Sequence, residues 1–114
     1  MCEQLIGRRY SYGDSDCIHL VIDALQLMGK QPPAVQAAWY AMTPRQVLRE
    51  LEHYCDRIDA PFYDGDIAVL TAAPLAFGVT WQTGILYINQ QLKAADWKPA
   101  HALTIRRFYR MKLR

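Results

Sequence analysis

The residues best placed to do chemistry lie in one short run, Tyr10-Ser-Tyr-Gly-Asp-Ser-Asp-Cys17-Ile-His-Leu-Val21. Turn-forming residues 11–15 deliver a cysteine to the start of an apolar stripe of helical period. The free amides and dipole of a helix N-terminus favour the thiolate, which is the nucleophilic form of cysteine. The spacing therefore makes Cys17 a candidate nucleophile. Asp14 and Asp16 oppose this, because neighbouring carboxylates raise a thiol pKa. The competing reading is that Cys17 is simply the first buried residue of a packed helix, since free cysteine is among the most buried residue types.

A cysteine nucleophile works with a base, and the chain holds three histidines. His19 is two residues from Cys17 on one helix, about 200° around it, and cannot serve its sulfur from there. His53 belongs to a second helix and is expected in solvent. His101 precedes the last strand and approaches Cys17 only if the preceding hairpin is long; a surface histidine is the plainer reading. Cys17-x-His19 and His53-x-Cys55 have a single intervening residue, where structural zinc sites use about two to four. No metal or other cofactor is expected. Asp64 and Asp66 read as shaping a turn rather than as an acid and base pair.

The elements that must position Cys17 are legible. Cys17, Leu20, Val21, Ala24, Leu25 and Met28 form a helical stripe over residues 16–28, with Ser15 or Asp16 as cap and Gly29 as stop. Residues 34–42 suggest a short helix presenting Trp39 and Tyr40. Thr43-Pro-Arg-Gln46 reads as a capping box opening a second helix that runs to about Cys55 and buries Val47, Leu48, Leu51 and Tyr54. After Asp59 the pattern changes to strands. Residues 67–70 form one, residues 81–88 a second, Asn89-Gln90 a turn into a third at 91–95, and residues 103–109 the last. Helices first and strands second predict an α+β domain with an antiparallel sheet of four or more strands.

At 114 residues, 52% hydrophobic and 21% charged, the chain has material for one core and predicts a single domain over residues 1–114. Its net charge of +2 does not by itself indicate a nucleic-acid binder. The charge is uneven: residues 106–114 hold five basic side chains and no acid, leaving −3 on the rest. Interleaved with Phe108 and Tyr109, this run suits phosphate and base contact, but a basic solvent face guarding an edge strand is the favoured account. The start lacks the pattern of an export signal, and the apolar runs at 67–70 and 72–79 are too short to span a bilayer. A cytoplasmic or virion-associated protein with reduced thiols and no membrane contact is expected.

Tyr10, Gly13, Asp16, Cys17, Leu20 and Val21, followed by Gly65-Asp66 and an apolar strand, resemble the NlpC-type cell-wall cysteine peptidases, in particular the short versions carried by tailed phages and prophages. That family continues with a strand of the form His-Val-Gly-Ile-Tyr, matched here to Gln82-Thr-Gly84-Ile85-Leu-Tyr. A turn at Asn89-Gln90 follows, then a strand ending in His-Ala, matched to Leu92-Lys-Ala94-Ala95. The resemblance covers about residues 7–109 and implies a papain-like α+β core. In such a core Cys17 is the nucleophile, Gln82 stands at the base position facing it, Ala94 stands at the orienting position, and Tyr10 or Tyr12 lies near the oxyanion. Glutamine cannot take up and return a proton at neutral pH, so the resemblance implies a weak or dead enzyme kept as a binding or assembly module. A peptidoglycan peptide or a phage structural protein is then the implied partner, and nucleic acid the less favoured one. The alternative is an active peptidase or amidase acting on peptidoglycan, using Cys17 with His101 or with another, unrecognised base.

Overall fold

Asp16 starts the first helix. Its Oδ1 accepts the amides of Ile18 and His19, each at 3.1 Å, and α1 runs over Cys17–Leu27. The helix ends where Gly29 turns at φ +79°, and the Lys30 amide returns to the Leu25 carbonyl at 2.9 Å. Helix α2, Pro44–Tyr54, opens on the foreseen capping box: Gln46 N–H donates to Thr43 Oγ1 at 3.3 Å, and Thr43 N–H to Gln46 Oε1 at 2.9 Å. Between the helices, residues 34–42 give a single 3₁₀ segment, Ala37–Ala41.

The computed structural model describes residues 1–59, 63–71 and 76–112. Residues 72–75, half of the second apolar run, and residues 113–114, the end of the basic run, lie outside the described residues. Among the described residues six strands form one antiparallel sheet: β1 Cys55–Ile58, β2 Ile67–Leu70, β3 Ala76–Trp81, β4 Gly84–Asn89, β5 Ala94–Pro99 and β6 Ile105–Met111, in the order β1-β6-β2-β3-β4-β5. The class is α+β. None of the described helices is long and apolar enough to cross a membrane.

Three expectations are corrected. The strand expected over residues 81–88 is broken at Gln82-Thr83, a two-residue turn that sets Trp81 opposite Gly84. Both turn residues have left-handed φ, +51° and +58°. The tight hairpin is the reason: its twist matches that of the strands only with positive φ at both central positions. The usual Asn-Gly signal is absent, and Gln-Thr conceals the turn.

The third strand does not occupy residues 91–95. Asn89 Oδ1 takes the amides of Gln91 and Leu92, at 3.0 and 3.2 Å, holding residues 90–93 as a connection, so β5 starts at Ala94 opposite Asn89. The basic last strand is also not an edge. β6 pairs with β2 on one side and with β1 on the other. Strand β1, Cys-Asp-Arg-Ile, follows α2 without a break and carries no apolar alternation that would announce it.

Strand alternation splits the sheet into two buried faces. One packs Val69, Phe77, Val79, Leu86, Ile88 and Tyr109 against Leu20, Val21, Ala24 and Leu25 of α1. The other buries Ala68, Leu70, Ile85 and Tyr87 beneath Ala100, Leu103 and Phe108. Close packing extends to the β3–β4 hairpin. A Cβ on Gly84 would lie 2.2 Å from Cζ2 of Trp97, whose indole crosses there to donate to the Trp81 carbonyl at 2.8 Å.

Candidate functional site around the first turn of α1

Cys17 is the first residue of α1 and is partly buried against the core. Burial pushes its thiol up, and the Asp16 carboxylate pushes in the same direction; the backbone amides of Phe77, Cys17 and Ile18 pull against them without prevailing. The thiol is therefore protonated at neutral pH, and nucleophilic attack would require a neighbouring base.

Beside Cys17 lies a set of hydrogen bonds centred on Asp16, a residue only 3% exposed. Besides the two cap amides, it accepts the Gly13 amide at 2.9 Å and the Tyr40 hydroxyl at 2.7 Å. His19 Nδ1 sits 3.0 Å from Asp16 Oδ1 and 3.1 Å from the Tyr40 oxygen. With the Tyr40 proton given to Asp16, assigning a proton to Nδ1 satisfies both contacts. Burial alone would raise the Asp16 pKa, but the donors from Tyr40, His19 and Gly13 outweigh it and hold the carboxyl below its ordinary value. Tyr40 is shifted upward by burial and by the same carboxylate. Tyr12, 67% exposed, stands edge-on to the Tyr40 ring at 5.3 Å. Tyr10 is more covered, and its phenol is raised by burial and by the nearby Asp16 and Cys17.

The remaining sequence candidates lie elsewhere. Gln82 does not face Cys17; it is exposed at the tip of the β3–β4 hairpin, its amide held by Asp64 Oδ1 at 2.9 Å. Ala94 begins the edge strand β5, where it pairs with Asn89 and bridges Arg9. His101 sits exposed in the 3₁₀ turn Ala100–Ala102, beside the hairpin tip. Ala100 of that turn packs on the sheet face turned away from α1. His53 is exposed at the end of α2, 3.9 Å from Glu50. Asp66 is buried and clamped by Arg110, whose Nε and Nη2 reach its two oxygens at 3.0 and 2.9 Å.

Comparison with family models, with curated proteins and with solved structures finds no match.

Sequence reasoning missed the partners of Asp16. His19 was set aside as pointing away from Cys17, yet the third residue of a helix is where a capping side chain reaches back to the cap, and His19 does so. Tyr40, twenty-four residues from Asp16, carried no local signal. As built, the site offers one hydrogen-bonded tyrosine, Tyr40, and a protonated thiol. No described imidazole is hydrogen-bonded to the Cys17 sulfur.

Proposed function

We propose that the chain is an NlpC-like, papain-type domain of phage or prophage character that has lost catalysis and serves as a binding or assembly module. One observation carries this reading. Cys17 opens a helix packed on an antiparallel sheet, and none of the six described strands contains a histidine. In the papain-like arrangement that the sequence resembles, the sheet presents the base, so no choice of register supplies one here.

The hairpin also suggests a better register. The pattern His-Val-Gly-Ile-Tyr fits Ala76-Phe-Gly78-Val-Thr80 on β3, followed by the turn at Gln82-Thr83 and by β4. That moves the base position from Gln82 to Ala76, where a proton acceptor is equally absent. Losing a positioned base costs roughly 10²- to 10⁴-fold in rate. Nucleic-acid binding through the basic run has less support, because Arg110 is committed to Asp66 and β6 lies inside the sheet.

The test is turnover of purified peptidoglycan and of a stem-peptide amide between pH 5 and 9. The expected result is no cleavage and no difference between wild type and Cys17→Ser. Turnover abolished by Cys17→Ser and also by His101→Ala would overturn the reading in favour of an active peptidase or amidase.

A further inference from the structure

The segment between the helices is attached at two places. At one end Tyr40 is bonded to Asp16 and His19 at the start of α1. At the other, Trp39 stands edge-on to Tyr54 of α2 at 6.3 Å, and Gln36 Nε2 donates to the Tyr54 hydroxyl at 3.3 Å. Tyr12 adds an edge contact to the Tyr40 ring at 5.3 Å. The 3₁₀ segment Ala37–Ala41 has no buried residue, and the Trp39 indole N–H is shut from solvent with no partner among the described residues. An apolar groove with about 90 Å³ of space, partly open to solvent, lies beside it, lined by Trp39, Pro33, Ile18, Leu51 and Phe77. An unpaired buried donor weakens the closed position.

We propose that residues 36–42 form a strap closed over the first turn of α1 by the Tyr40 hydroxyl, and that its release uncovers Cys17 and the apolar space behind it. The groove's lining includes Ile18 and Phe77, the neighbours of Cys17 on the helix and on β3. Tyr40 lies near enough that a charge on Cys17 would raise its pKa further. Release of the strap breaks the contacts of the Tyr40 hydroxyl with Asp16 and His19 at α1. The inference rests on the proposed function only for the view that the Cys17 region is the working face of the domain.

Alkylation of the full chain by iodoacetamide, read at each cysteine by peptide mass mapping, tests it. Hydrogen bonds to a charged group are worth enough that Tyr40→Phe should speed Cys17 modification roughly 10- to 100-fold. The buried Cys2 and Cys55 report global opening and should keep their wild-type rates. A Cys17 rate unchanged by Tyr40→Phe overturns the strap, as does a rise shared by all three thiols. An independent check needs no variant. In the wild type, the amides of Trp39 and Met42, bonded to the Gln36 and Trp39 carbonyls, should exchange with deuterium well before those of α1. Exchange in step with α1 would overturn the proposal. Alkylation requires no turnover, so failure of the strap and failure of the catalytically silent reading are seen separately.

Discussion

Helices α1 and α2 are both eleven residues long, and each starts at a well-formed cap. They end up in different physical situations. Four residues of α1 are buried in the main core, whereas α2 has none and rests its apolar side on the core beside an apolar groove shared with α1. Capping and propensity decide that a helix forms and where it begins; the number of apolar side chains shared with other elements decides how much fold stability hangs on it. On this contrast α1 with the sheet is the scaffold, and α2 is the more lightly buried element laid against it.

The contrast is broken most directly by truncating the two apolar stripes. Leu25, 1% exposed, packs in the main core, and Leu25→Ala should cost about 2 to 5 kcal/mol. Leu48, only partly buried on α2, should cost about 1 kcal/mol or less when truncated, because less apolar area is withdrawn from water there. Denaturant midpoints of the two variants measure the difference. Equal losses would show that α2 belongs to the scaffold.

The caps sharpen the same contrast. Removing Thr43 should cost about 1 kcal/mol, the ordinary value for an exposed cap. Asp16→Asn should cost more, since it also weakens the buried contacts with Tyr40 and His19. The pH dependence identifies the cause. Asp16 is held below its ordinary value of 3.8 in the fold. The unfolded chain therefore binds its proton first on acidification. Its contribution is complete above that ordinary value, and is lost as the pH falls through it to the lower value of the folded state. Thermal melts from pH 6 down to pH 2 should show wild type and Asp16→Asn converging in acid. Parallel curves would mean that the Asp16 charge contributes nothing.

The smallest effect belongs to the scaffold itself. Gln82 and Thr83 hold left-handed φ values that cost a β-branched or long side chain more than they cost asparagine or glycine. Replacing them with Gln82→Asn and Thr83→Gly should stabilise the fold by roughly 0.5 to 1 kcal/mol, read as a raised urea midpoint. A loss of stability would mean that these side chains make contacts which outweigh the backbone strain.

Local chemistry was legible wherever the deciding interaction spans a few residues. The stripe over residues 16–28 emerges as Cys17–Leu27, the Thr43 box opens Pro44–Tyr54, and residues 67–70 are β2 without adjustment. Each follows from caps, period and burial within one turn or one strand. The position of Cys17 at a helix start was legible for the same reason.

What the tertiary structure alone decided is which distant elements meet. Cys-Asp-Arg-Ile becomes β1 because β6 offers it a partner, and β6 lies inside the sheet because β1 closes over it. The Gln82-Thr83 turn exists because Trp81 and Gly84 pair and Trp97 packs on the glycine, a constraint strong enough to hold two unsuited residues at positive φ. Tyr40 reaches Asp16 across twenty-four residues because the strap crosses the start of α1. In each case the stabilising contact is paid for by closing a loop, and loop closure depends on the whole fold rather than on the residues flanking the contact.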